Sequence, residues 1–206
     1  MMPIEELKQY LPKYLSEDSY KALIAELHSF PYNIDKRMYT TSLPSDVLFQ
    51  GDGYDSFPVI DLMHLDKGCK SSYGIIMSNT CDIDVKNIRL YPSSIMYAPI
   101  ISLEKYRSVL EKRNVEKEKI DNHLTKIREQ AITSILYLPS NGKIQDSIVF
   151  IDKMLHIGND YVNRKTLGQH RLFSLSNYGF YLLLFKLSVH FSRIQEKVDR
   201  RHSEYV

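Results

Sequence analysis

The apolar positions of this chain change period four times. Between residues 4 and 29 they recur at helical spacing, with Ile4, Leu7 and Leu11 on one face and Tyr20, Leu23, Ile24 and Leu27 on a second. Pro12 separates two short helices, Ser16 caps the second with Glu17 and Asp18 in its first turn, and Pro31 ends it. From Asp46 to Ile151 the pattern becomes short β-type runs between turn signals. Val47–Gln50, Phe57–Leu62, Tyr73–Ser78, Ser94–Ile100, Ile132–Leu138 and Ser147–Ile151 predict about six strands. Gly51-Asp52-Gly53, Asp66-Lys67-Gly68 and Pro139-Ser140-Asn141-Gly142 turn the chain between them, and Pro58 argues for an edge position.

A helical period returns from Leu103 to Gln130. This stretch is rich in Lys, Arg and Glu, Ser102 can cap it, Asn114 splits it in two, and Ile120, Leu124, Ile127 and Ala131 form a narrow apolar stripe. It reads as a solvated helical insertion resting on the strands, with a lid or partner-binding arm as the functional alternative. The last helix is predicted over 174–201, capped by Ser174 or Ser176. Phe180, Leu184, Leu187, Phe191, Ile194 and Val198 line one face. At about 100° per residue, Lys186, His190, Arg193, Lys197 and Arg200 fall in a neighbouring sector and form a cationic ridge. His170-Arg171 adds two cations just before it.

Six short strands with regular turns suggest a small barrel or a strongly bent sheet. The fold class is therefore α+β, in a single domain over 1–206. Its parts are a helical N-terminal part (1–30), a β-barrel core (46–153) interrupted by the insertion (103–131), and the C-terminal helix.

Composition changes this picture little. The chain has 206 residues, 43% hydrophobic and 25% charged, as a globular protein of one core does. A net charge of +2 gives no bulk attraction to nucleic acid, so any basic surface must come from local clustering. Two cysteines make no disulfide framework, and the N-terminus is not a signal peptide. The most apolar window, Phe180 to Phe191, is interrupted by Lys186 and His190 and is too short for a bilayer, so the expectation is a cytoplasmic protein with no membrane partner.

Candidate chemistry gathers where the Tyr73 strand ends. Ser78-Asn79-Thr80-Cys81-Asp82-Ile83-Asp84 places hydroxyl, amide, thiol and carboxylate groups in one turn. Cys81 is the candidate nucleophile, provided a histidine stands beside it; its bland reading is a small buried hydrophobe, and that is the expectation. Asp82 needs a partner, which the ridge at Lys186, His190 and Arg193 could supply. A metal set can be assembled on paper from Cys81, Asp82, Asp84 and a histidine, but no Cys-x-x-Cys, His-x-x-x-His or calcium-loop spacing occurs, so no metal or cofactor is expected.

Three segments carry a resemblance. Tyr73–Ser78, Met96-Tyr97-Ala98-Pro99-Ile100-Ile101-Ser102 and Asp146-Ser147-Ile148-Val149-Phe150-Ile151-Asp152-Lys153 resemble, in order and character, the strands of the PemK/MazF-like toxins. The resemblance implies an SH3-like barrel and a bacterial toxin–antitoxin or phage-defence setting. It also implies RNA as substrate, an antitoxin or other protein as partner, and homodimerisation. This chain departs from the family where the endoribonucleases carry an arginine and a threonine: Lys70, Ser71 and Ser72 precede the strand, and Ile101 holds the threonine position beside Ser102.

Three functions remain, one of them a cysteine-dependent hydrolase or transferase that needs a histidine within hydrogen-bond reach of Cys81. In a metal-independent endoribonuclease, Asp82, Ser102 and His190 would be catalytic and Lys70, Lys186, Arg193 and Lys197 would hold phosphates. In a non-enzymatic interaction module, the same turn is a structural corner.

Overall fold

A computed structural model of the chain describes residues 37–60 and 68–191, together with positions 18, 21 and 25. The predicted N-terminal stripe, Leu62, and the ridge residues Arg193, Lys197 and Arg200 lie outside the described residues.

The described chain is α+β. Eight strands form one antiparallel sheet: β1 (Tyr39–Thr40), β2 (Gly53–Ile60), β3 (Cys69–Ile76), β4 (Ser94–Ser102), β5 (Ile135–Leu138), β6 (Ser147–Phe150), β7 (Leu155–Gly158) and β8 (Arg171–Leu175). Their order is β1-β8-β2-β3-β4-β6-β5, with β7 also paired to β4. The two ends of this order do not pair with each other, so the sheet is open where a closed barrel is predicted. The five helices among the described residues are α1 (Thr80–Ile83), α2 (Leu103–Lys112), α3 (Lys117–Arg128), α4 (Leu167–His170) and α5 (Asn177–Phe191).

β4 is shared. One edge pairs with β3 through Tyr97, Ala98 and Pro99. The other pairs with β7 from Ser94 to Tyr97 and with β6 from Ile100 to Ser102. Its alternating side chains therefore feed two cores on opposite faces. Ala98 and Ile100 join Ile75, Leu136, Val149, Leu182 and Leu183 in the first. Ile95 and Tyr97 join Tyr54, Phe57, Ile76, Ile83, Val162 and Leu167 in the second. A third cluster packs Leu103, Ile120, Leu124 and Ile127 of the insertion onto Ile135, Tyr137 and Ile148. Asn114, at φ 56, makes the left-handed turn that separates α2 from α3.

Several predicted elements differ. Val47–Gln50 is bent chain rather than a strand, because it is committed to a loop. Arg171 holds that loop by donating to the carbonyls of Pro44 (2.8 Å) and Val47 and by pairing with buried Asp52 (3.2 Å). β1, β7 and β8 are strands that the hydrophobic pattern does not announce. α5 turns a different face inward. Tyr178, Gly179, Leu182, Leu183 and Lys186 are buried, while Phe180 and Leu187 only flank the first core. The helix is rotated by about 140° from the predicted stripe. Gly179 is one reason: a Cβ there would stand 2.4 Å from the Met38 carbonyl oxygen, so the helix approaches the chain before β1 at a distance that only glycine permits.

Two outcomes follow. Gly179→Ala forces this contact apart and lowers unfolding free energy by about 1–3 kcal/mol, read from chemical denaturation. Burial pushes the Asp52 carboxyl up to about 6 from 3.8, against the opposing effects of the Ser174 hydroxyl, the Phe49 N–H and Arg171. The folded state thus binds more protons than the unfolded one between these values, and stability falls as pH rises from about 4 to about 6. Asp52→Asn removes this slope. Relative to wild type the variant gains roughly 3 kcal/mol between pH 4 and pH 7, and an unchanged difference would contradict the burial cost.

Candidate functional site

The turn after β3 is built by its own polar side chains. Ser78 Oγ accepts the Met96 N–H at 2.7 Å and so fastens the turn to β4. Asn79 caps α1 by accepting the Cys81 N–H at 2.9 Å. Thr80 Oγ1 accepts the Gln50 N–H at 3.0 Å, and the Gln50 amide donates to the Met77 carbonyl at 2.7 Å. Asp84 accepts the Lys86 N–H at 2.9 Å. These groups are consumed in holding the corner.

Cys81 and Asp82 are the exceptions. Cys81 is exposed, not packed inside as expected, because α1 presents Ile83 to the second core and turns the thiol outward. Among the described residues the thiol has no hydrogen-bond partner, histidine or otherwise. Asp82 forms an exposed ion pair with Arg89. Its cation comes from the following loop and not from the C-terminal helix.

The other predicted residues are dispersed. Ser102 caps α2, accepting the Lys105 N–H at 3.2 Å. It lies six residues along β4 from Met96, the residue beside the turn, or on the order of 20 Å of strand. Lys70 is exposed on β3, opposite Val59. Lys186 is no phosphate ligand: it is 3% exposed, and its ammonium donates to the carbonyls of Gln130 (3.0 Å), Ile132 (2.7 Å) and Ile135 (2.5 Å). Burial pushes its pKa down to about 7. His190 is half-buried with its ring edge-on to Phe191. No hydrogen bond or ion pair joins Asp82, Ser102 and His190 among the described residues.

A different constellation forms at the start of β2. The register between β2 and β3 slips between Tyr54, opposite Gly74, and Phe57, opposite Ser72. Asp55 and Ser56 together face Tyr73, which is a β-bulge, and bulges re-aim side chains. Gly74 helps create it, since a Cβ there would stand 2.6 Å from the Phe57 ring. Asp55 Oδ1 meets His170 Nδ1 at 3.0 Å, and Ser56 Oγ donates to the same carboxylate oxygen at 2.6 Å. The side chains of His170 and Asp55 are 38% and 30% exposed, so the pair faces solvent at a rigid edge. Nε2 of His170 has no partner among the described residues.

The surroundings are aromatic. Tyr54 lies 5.5 Å from the His170 ring, and its hydroxyl is pushed up by burial and by the Asp55 charge, with Arg164 opposing. Tyr161 donates to the Ser56 carbonyl at 2.9 Å. Arg164 is a scaffold: it donates to the carbonyls of Val162 (2.7 Å), Asn159 (3.3 Å) and Ile83 (3.2 Å) and to the Asn159 side chain, joining this loop to α1. Burial pushes its pKa down.

A histidine fixed through Nδ1 by a carboxylate, with Nε2 free and accessible, can accept and return a proton. Among the described residues no three His, Cys, Asp or Glu side chains stand together as a metal ion requires. No helix among them is long and apolar enough to cross a membrane. Sequence reading singled out His170 only as a cation before the last helix. Its partner Asp55 is set by the bulge, whose sole trace in the sequence is Tyr-Asp-Ser-Phe, two polar residues between two core aromatics.

Comparison with protein-family models and with curated proteins returns no match to this chain.

Proposed function

We propose that this chain is a nucleic-acid-binding protein of the toxin–antitoxin or phage-defence type that cleaves RNA without a metal ion, in the cytoplasm. The observation that carries this reading is the Asp55–His170 pair, a solvent-facing general base with its tautomer set by a carboxylate. Asp55 holds the proton on Nδ1, which leaves the Nε2 lone pair to take the proton of a ribose 2′-hydroxyl. The 2′-oxygen then bonds to the adjacent phosphorus and the bond to the 5′-oxygen breaks. The imidazolium returns its proton to that leaving oxygen. Exposed Lys165, in the 3-10 turn Arg164–Thr166 between Tyr161 and His170 in the sequence, is the cation this reading assigns to the phosphate.

The strand order supports the reading by analogy only. β8, the last strand, lies beside β2, and β2, β3, β4 and β6 follow in sequence, an order compatible with the expected SH3-like arrangement, although this sheet is open. The predicted catalytic set Asp82, Ser102 and His190 is replaced in this proposal by Asp55 and His170.

With chelator present, the wild-type chain cleaves single-stranded RNA, and His170→Ala slows it about 10²- to 10⁴-fold. Asp55→Asn leaves the fold intact and shifts the pH–rate profile, because the tautomer is no longer fixed. RNA that stays intact for hours with the wild-type protein rejects the reading; full activity in His170→Ala moves the chemistry elsewhere.

One observation favours a second reading, an interaction module without turnover that binds an antitoxin, another protein or a second copy. The loop after α1 exposes Ile88 at 93%, Leu90 at 110% and Tyr91 at 84%, with Arg89 drawn back onto Asp82. Large apolar side chains so displayed are typical of surfaces that a partner covers. Replacing Ile88 and Leu90 by aspartate leaves the melting temperature unchanged and abolishes self-association in sedimentation or partner co-purification. A wild-type chain that stays monomeric and purifies alone counts against this.

A further inference from the structure

The second core ends at the surface in a row of rings. Phe57 lies flat on Tyr97, with centroids 4.1 Å apart and planes 10° apart. Tyr161 continues the row, 6.4 Å from Phe57 and 18° from parallel. Tyr97 and Phe57 are buried, whereas Tyr161 is 46% exposed. The Tyr161 hydroxyl is anchored on the Ser56 carbonyl, one residue from Asp55. The open ring is thus held at a set angle within a nucleotide's length of the Asp55–His170 pair. An aromatic ring fixed before the ligand arrives loses little side-chain entropy on stacking, and every nucleobase has a face to offer it. Lys165 is exposed in the turn that lies between this ring and His170 in the sequence.

We propose that Tyr161 is the stacking platform for the base next to the phosphate that His170 acts on. The assignment rests on the RNA-cleavage reading and adds a binding determinant that the reaction itself does not require. A base lying on Tyr161 must be unstacked from one neighbour, so the platform selects a local distortion of the strand at the reacting phosphate.

The test uses the full chain carrying His170→Ala, so that bound RNA survives, with two probes: an oligoadenylate and the same ribose-phosphate backbone lacking its bases. Adding Tyr161→Ala weakens oligoadenylate binding roughly 5- to 150-fold and leaves binding of the base-free backbone unchanged. Tyr161→Phe, which keeps the ring and loses its anchor, falls between. Because the chain has no tryptophan, Tyr161→Trp is a site-specific reporter. Its fluorescence is quenched by oligoadenylate and not by the base-free backbone. Equal loss for both probes in Tyr161→Ala, or binding without quenching in Tyr161→Trp, overturns the platform and leaves the cleavage reading standing. Failure of the parent chain to bind either probe overturns both.

Discussion

The structure depends on the change of partner along β4. At Ala98 and Pro99 the strand pairs with β3 on one edge, while on the other β7 has ended and β6 has not begun. Proline has no amide hydrogen to donate, and the middle of a sheet normally excludes it. Here it falls at the gap between two partners, where that edge of the ladder is interrupted anyway. The switch lets one strand serve three cores: Ile95 and Tyr97 in one, Ala98 and Ile100 in another, and Ile101 beside the third. The helical insertion leaves from the end of β4 and the polar turn is fastened to its start. The spacing between those two regions is therefore set by a single length of strand.

The candidate site is a product of irregularity in the neighbouring strand. β2 is regular where it meets β3 beyond Phe57 and bulged before it. Consecutive residues His170 and Arg171 then take two carboxylates three residues apart, Asp55 at the surface and Asp52 inside. The buried pair fixes loop and strand; the surface pair is left with a free imidazole nitrogen. Division of two similar ion pairs between structure and chemistry follows from burial alone, since a desolvated carboxylate beside a guanidinium is not available to a ligand.

β4 and β6 were legible in the sequence because each carries an unbroken apolar run, Ile95–Ile101 and Ile148–Ile151. Ser94–Ile100 and Ser147–Ile151 lie almost where β4 and β6 are. The α2–α3 hairpin was legible too, from Ser102 as a cap and Ile120, Leu124 and Ile127 as its stripe. β7 and β8 were not, since His156 and Ser174 interrupt their short apolar runs. The inward face of α5 was misread for a physical reason. Hydrophobic periodicity counts Lys186 as polar and Gly179 as neutral, yet one is buried by three carbonyls and the other by close approach to Met38. The pairing of Asp55 with His170 spans 115 residues and hangs on a register slip, which no local pattern encodes.

Lys186 has a further consequence when read together with Gln130. β5 ends the sheet, and its outward backbone groups would normally stand open. The Gln130 side-chain amide instead accepts the Tyr137 N–H (3.1 Å) and donates to the Tyr137 carbonyl (2.7 Å), and the lysine ammonium occupies the Ile135 carbonyl. Two side chains thereby imitate a neighbouring strand. A terminal strand whose outward groups are already engaged offers no template for a strand from another chain, so this margin of the sheet is closed to sheet-to-sheet growth and to aggregation by edge pairing.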